Sequence, residues 1–353
     1  MSRVPSWIPG SIKLSELYSP SGLAQVSPVA DEVSVEVRSW ILPHLEPIGA
    51  PERLIRTVDE TLLMCAYVYP GATKEALRIV TIFNVLQFLQ DDLYDLSDPS
   101  APAISQEIAS IHSSPDFLGR AMLELYGSLC ADGGGEGYLD STETAGKMFL
   151  GSAFEHCVRE IRDYGNRCDP MLFKEWAEVF AKSLTRFASA HCSVDFSNMH
   201  VNGIANMLID RNGMDHTVHL VELANGSFLT AESRSSPPLV SMRTHVNAIG
   251  SYLNQIISFE KEVTSERPGN NLLEALMTHE GMTLREAAEH VALLAVNHRD
   301  EFDQLAERAL ARNPEVALYV EGLRLMANAC WTWQLKGTTR YTSMSSPFAE
   351  LLG

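Results

Sequence analysis

Apolar residues recur at i, i+3, i+4 and i+7 along most of this chain, the spacing that gathers them on one face of an α-helix. The pattern predicts helices near 31–46, 52–68, 74–95, 116–131, 142–164, 170–194, 203–225, 239–265, 283–311 and 314–335. Turn residues punctuate it at Pro70-Gly71, Asp98-Pro99, Asp132-Gly133-Gly134-Gly135, Pro170, Pro237-Pro238, Pro268-Gly269 and Asn313-Pro314. Period-two alternation between hairpin turns is missing, and so is a long-period internal repeat. Residues 1–30, rich in Pro, Ser and Gly, read as an extended arm and 346–353 as a tail. The stretch 31–345 is then a single large all-α bundle. Sites in such bundles are built from side chains projecting inward from facing helices. The informative positions are therefore polar groups on apolar helices.

Composition narrows the partners. The 353 residues include 45 acidic and 27 basic side chains, a formal net charge of −18. That balance argues against nucleic acid, whose phosphates need clustered Lys and Arg, and against an anionic membrane surface. An anionic substrate remains compatible if carboxylates hold divalent cations, which invert the local charge logic. Cys65, Cys130, Cys157, Cys168, Cys192 and Cys330 show no metal-ligand spacing and read as reduced thiols. No secretory h-region opens the chain and no run is long and apolar enough to span a bilayer. The expected compartment is the cytoplasm.

Two helices carry the wrong residues for plain packing. The apolar stretch from Thr81 ends in Asp91, Asp92, Asp95 and Asp98, with Asp91 and Asp95 at i, i+4. Carboxylates at a helix C-terminus meet the negative end of the dipole, and like charges one turn apart repel. A hard divalent cation converts both penalties into a binding site; a solvated acidic cap before Pro99 is the other reading. In the second helix Asn254, Ser258 and Glu262 fall at i, i+4, i+8 with Lys261 beside the last. Three oxygen-bearing side chains on one stripe form half of a hard-cation site, and the lysine offers a point charge to phosphate. Taken alone, the same stripe also suits a solvated face.

Together these strings resemble the class I terpene synthases (terpene cyclases) of microbial type. That family has an aspartate-rich motif, here Asp91-Asp92-Leu93-Tyr94-Asp95, and a second metal motif, here Asn254-Ser258-Lys261-Glu262. It ends in an Arg-Tyr pair, here Arg340-Tyr341, and carries a diphosphate-sensing arginine before the second motif, here Arg211, 43 residues before Asn254. Asn270-Asn271-Leu272-Leu273 is also family-like. Order and spacing agree over roughly 75–345. One departure is Met214, where the family often has an Asp three residues after the sensor; here the acid is Asp215. Gly213 beside it permits the helix break that the family uses there.

The resemblance implies an all-α bundle with a central active-site cavity, in which a linear prenyl diphosphate of fifteen or twenty carbons is ionised and cyclised to a terpene hydrocarbon or alcohol. Asp91 and Asp95, with Asn254, Ser258 and Glu262, would hold Mg²⁺, three ions by analogy. Asp92 joins the catalytic set. Arg211, Lys261, Arg340 and Tyr341 would bind diphosphate oxygens, a role that suits the arginine fork. Carbocations need apolar, water-poor walls, and aromatic faces can stabilise them. Phe88, one turn before the aspartates, is the best placed, with Phe83, Phe180, Trp331 and Trp333 as further candidates or as plain core. Dimers are common in the family, and a homodimer is compatible with it.

Other chemistries find less support. The glycines at 132–138 lack the lysine of a P-loop. A chain-elongating prenyltransferase would be expected to repeat the aspartate-rich motif, whereas the second motif here is Asn/Ser/Glu. A protonation-initiated cyclase would need DxDD, which is absent. A non-catalytic helical homologue is the remaining alternative, against which both metal motifs speak.

Overall fold

Within the described residues, each segment for which apolar spacing predicts a helix is helical over most of its length. The computed structural model describes residues 7–22, 24–46, 49, 52–95, 150–190, 199–264 and 271–353, without the side chains of 90, 91, 93–95 and 188–190. The helix expected at 116–131 and the start of the one at 142–164 lie outside these residues. The helices are α1 Leu14–Leu17, α2 Ala30–Leu45, α3 Glu52–Val68, α4 Lys74–Asp95, α5 Gly151–Cys168, α6 Pro170–Ala190, α7 Val201–Arg211 and α8 Met214–Asn225. They continue with α9 Ala231–Ser235, α10 Pro237–Ile257, α11 Phe259–Thr264, α12 Leu272–His279, α13 Leu284–Arg312 and α14 Ala317–Lys336. Among the described residues the β-structure is an isolated bridge between Ile12 and Phe348. None of their helices is long and apolar enough to cross a membrane.

The chain divides into two compact units. One comprises residues 25–193 and 219–234. Its central helix is α4, whose residues 79–86 are buried on every side, with Leu77, Ile79, Val80, Ile82, Phe83, Val85, Leu86 and Leu89 in the core. A helical stretch buried all round must be covered on every side, and α2, α3 and α5 cover it. The covering helices are one-sided, as the stripe Val33, Val37, Ile41 and Leu45 of α2 shows. Gly165 lets α5 meet α6 closely, because a Cβ there would lie 2.0 Å from the Phe173 ring. An aromatic stack follows, with Trp176 and Phe180 parallel at 4.7 Å and Phe83 against Phe180 at 5.4 Å.

That unit also buries a full ion pair. Arg234 donates to the Glu222 carboxylate through Nε at 3.0 Å and Nη2 at 2.8 Å. Leu229 N–H donates to the same carboxylate at 2.8 Å, and Arg234 Nη2 reaches the Leu229 carbonyl at 2.6 Å. The bonds close the turn between α8 and α9 with its charges satisfied, the condition under which buried charge is tolerable.

The second unit comprises residues 1–24, 194–218 and 235–353. Here α10 is the buried helix, packed against α7, α13 and α14. Ala287, Ala288, Ala292 and Ala295 of α13 are buried small residues, and small side chains permit close approach of helix axes. Thr283 and Glu286 start α13 with a reciprocal capping box. The N-terminal segment lies along the C-terminal one: Ile12 N–H donates to the Pro347 carbonyl at 3.0 Å, and Leu14 and Ser15 N–H to Glu350 at 2.9 and 3.0 Å. Cys65, Cys157, Cys168 and Cys330 are free thiols, and burial pushes Cys65 and Cys330 up to about 12.

Candidate active site

Local helix geometry accounts for the first half of the site. Asn254 lies in the last turn of α10, Ser258 is its C-cap, and Glu262 sits in α11. The expected single helix at 239–265 is thus interrupted at Ser258, yet two backbone bonds carry the helical register across it. Ser258 N–H reaches the Asn254 carbonyl at 2.8 Å and Glu262 N–H the Ser258 carbonyl at 2.9 Å. The three side chains therefore keep their common stripe.

Tertiary contacts then set the orientation of each. Asn254 donates its amide to the Tyr341 hydroxyl at 3.1 Å, which leaves Oδ1 as the oxygen offered to a cation. Ser258 donates its hydroxyl to the Asn254 carbonyl at 2.7 Å. Glu262 accepts from Asn271 Nδ2 at 2.8 Å. Asn271 is fully buried. Its amide also donates to the Gln255 carbonyl at 2.8 Å, and its Oδ1 accepts from Leu273 N–H as the N-cap of α12. Gln255 Oε1 takes Leu272 N–H at 2.9 Å. Asn271 and Gln255 thus fasten the start of α12 to the metal-motif helix. In the sequence Asn271 stands out only as part of a family-like string, and its role depends on burial next to a helix start.

Charge gathers at the same place. Burial pushes the Glu262 carboxyl up to about 7, against hydrogen bonds from Asn271 and Ser258 and the positive charges of Lys261 and Arg211. Burial likewise raises the Tyr341 phenol, opposed by Arg340 and Lys261. Glu262 thus links Ser258, Lys261 and Arg211, and Tyr341 links Asn254, Arg340, Lys261 and Glu262, so these seven residues from three separate stretches of sequence form one connected group. Arg211 ends α7, and Gly213 follows with φ +77°, a left-handed turn that starts α8. This breaks the helix expected at 203–225 at the glycine.

The aspartate-rich motif closes α4. Asp92 is buried and accepts from Arg53 at 3.2 Å and from the Thr57 hydroxyl, both on α3. The Asp91 and Asp95 side chains lie outside the described residues. Phe88 is partly buried one turn before Asp92. Phe83 and Phe180 are buried in the aromatic stack of their unit, while Trp331 packs edge-on to Tyr18 at 5.2 Å and Trp333 is buried. Nothing in the sequence pattern of α3 singles out Arg53 and Thr57. His216 and His219 are buried core histidines.

The pattern of "Terpene synthase family 2, C-terminal metal binding" matches residues 83–301, more than half of the chain. The chain belongs to the terpene synthase family. Among curated relatives it is 23% identical over 336 residues to 4-epi-cubebol synthase ((2E,6E)-farnesyl diphosphate cyclizing) of Streptosporangium roseum, covering 90% of this chain and 89% of that one. It is 24% identical to 10-epi-cubebol synthase of Sorangium cellulosum, covering 82% and 87%. Among solved structures, germacradien-4-ol synthase from Streptomyces citricolor superposes with a TM-score of 0.68 at 16% identity, over 90% of this chain and 97% of that one. That likeness establishes the all-α terpene cyclase fold.

The residues of this family member suit a divalent cation. Asn254, Ser258 and Glu262 present only hard oxygen donors. A carboxyl driven up to about 7 by burial is a group that a neighbouring cation would return to its charged form. Lys261 and Arg211 beside it are charges suited to an anion shared with that cation.

Proposed function

We propose that this protein is a Mg²⁺-dependent cyclase of a linear prenyl diphosphate, with the fifteen-carbon farnesyl diphosphate as its substrate. The observation that carries the reading is the convergence of Asn254, Ser258 and Glu262 with Arg211, Lys261, Arg340 and Tyr341. The printed substrate of the Streptosporangium roseum relative supports the chain length. Asn254, Ser258 and Glu262, together with Asp91 and Asp95, are the proposed holders of Mg²⁺, three ions in all by family resemblance. Bound there, the metal supplies Lewis-acid stabilisation of negative charge on the leaving diphosphate.

The chain's own residues perform the rest. Arg211, Lys261 and Arg340 bind and orient the diphosphate oxygens, and the Tyr341 hydroxyl adds a donor while it holds the Asn254 amide. As the bond from C1 to the diphosphate oxygen breaks, the electron pair leaves with the diphosphate and an allylic cation remains. Fixed donors aimed at that developing charge lower the barrier without reorganising. A π-bond of the same prenyl chain then attacks the cation and closes a ring. Proton loss or water capture ends the reaction, giving a hydrocarbon or an alcohol. Phe88, one turn before the aspartates, is proposed as an aromatic face for the cation.

The test is incubation of the purified protein with the ten-, fifteen-, twenty- and twenty-five-carbon diphosphates and Mg²⁺. The expected result is pyrophosphate release and a cyclic fifteen-carbon product from farnesyl diphosphate. Longer linear diphosphates would instead mark an elongating enzyme. Silence with every substrate, in Mg²⁺ and in Mn²⁺, would make the chain a non-catalytic homologue.

Asn271 gives a second expectation. It touches no proposed substrate atom and acts through Glu262, so Asn271→Ala should behave as the loss of an outer-shell partner of a metal ligand. The expected cost is roughly 10- to 100-fold in activity, with a raised Mg²⁺ requirement. A loss of activity with an unchanged Mg²⁺ titration would show that Asn271 only packs.

A further inference from the structure

A second group of metal-ligating side chains lies in the unit that carries the Asn/Ser/Glu motif, away from that motif. His245 of α10 and His298 of α13 bring their Nδ1 atoms to 2.8 Å of each other. Glu301, one turn beyond His298 on α13, places a carboxylate oxygen 3.4 Å from His245 Nε2. Ser241 Oγ, one turn before His245, is 3.3 Å from the same nitrogen. One ligand atom from each of His245, His298 and Glu301 can be chosen so that all lie within 4.8 Å of one another. His245 is nine residues before Asn254 on α10, about 13 Å along the helix axis. The cluster is therefore separate from the proposed diphosphate site.

We propose that His245, His298 and Glu301 form a binding site for a divalent transition metal of the Zn²⁺ class. Two ring nitrogens facing at 2.8 Å cannot both carry protons; they must share a proton or a cation. The ligand set of two imidazoles and one carboxylate is what Zn²⁺ accepts, with water in the fourth position. It is a poor set for Mg²⁺, which takes oxygen ligands and keeps much of its hydration.

The required movement is small. Tetrahedral Zn–N bonds of about 2.0–2.1 Å set neighbouring ligand atoms about 3.3 Å apart. The two nitrogens would open by roughly half an ångström, and the largely exposed Glu301 side chain would swing toward them. Burial lowers the pKa of both histidines, which favours the neutral imidazoles that metals bind. Tyr252, whose ring lies 5.6 Å from that of His298, walls one side of the cluster. A bound ion would cross-link α10 to α13.

The experiment is Zn²⁺ titration of the purified protein by calorimetry with Mg²⁺ in large excess, repeated on His298→Ala and Glu301→Gln. Saturable 1:1 Zn²⁺ binding is expected, weakened at least tenfold in His298→Ala and several-fold in Glu301→Gln. Co²⁺ in the wild type should show the visible absorption of a four- or five-coordinate ion, lost in His298→Ala. Zn²⁺ binding within twofold of wild type in His298→Ala, or none in the wild type, overturns the site and leaves a shared proton between the histidines. Should His298→Ala fail to fold, Glu301→Gln decides, because its side chain is mostly exposed: unchanged affinity there overturns the proposal. None of these readouts depends on terpene cyclisation, so they stand or fall apart from the proposed reaction.

Discussion

Glu262→Gln is expected to lower kcat/KM on farnesyl diphosphate by at least about 100-fold while making the metal-free protein more stable. The loss follows from replacing a charged ligand by a neutral one at the site meant to offset diphosphate charge. The gain follows from burial. Glu262 is raised from 4.5 to about 7, so the folded state holds a proton that the unfolded state has already released. Its destabilising contribution is absent below the unfolded value, grows as pH rises through that interval, and is complete above the folded value. The full term is on the order of 3 kcal/mol, and glutamine of the same shape removes it. Thermal melts in chelator should therefore show variant and wild type together near pH 4.5 and the variant ahead at pH 8. Adding Mg²⁺ should raise the wild-type Tm more than the variant's, because ligand binding to the folded state adds stability by mass action. A variant that is active, or less stable at pH 8 without metal, would refute this account of Glu262.

Arg234→Ala should destabilise its unit by roughly 3–5 kcal/mol, the largest effect expected of a substitution remote from the proposed reaction. Glu222 has no exposed side-chain surface and Arg234 only 4%. Deleting the guanidinium leaves a buried carboxylate with the Leu229 amide as its remaining hydrogen-bond donor. Urea denaturation measures the cost. A companion double variant, Glu222→Leu with Arg234→Met, should recover much of it, since paired removal strands no charge. A double variant no better than Arg234→Ala would mean that the turn between α8 and α9 needs the arginine for its bond to the Leu229 carbonyl.

The helices and the stripe of oxygen-bearing side chains were legible for the same reason. Both depend on rise and turn per residue, which are local. The periodicity placed 52–68 and 74–95 where α3 and α4 lie. It merged α7 with α8 across Gly213, because apolar spacing persists through a break that only φ reveals. It passed over α12, whose eight residues are too short for a clear period and whose start is fixed by the Asn271 cap. The family resemblance brought Arg211, Arg340 and Tyr341 to the reading; composition and spacing alone would have left them as surface charges and a core phenol.

What the sequence determined by itself was the all-α class, through periodicity, and the alignment of Asn254, Ser258 and Glu262, through i, i+4, i+8 geometry. The −18 charge argues against polyanionic partners and leaves room for an anion held through metal. Only the tertiary structure decided that Asn271 orients Glu262, that Arg53 and Thr57 hold Asp92, and that His245 meets His298, 53 residues on. Those pairings join separate helices, and their geometry depends on how loops return the chain and on which side chains fill the space between axes. Neither is encoded in the spacing along any one helix.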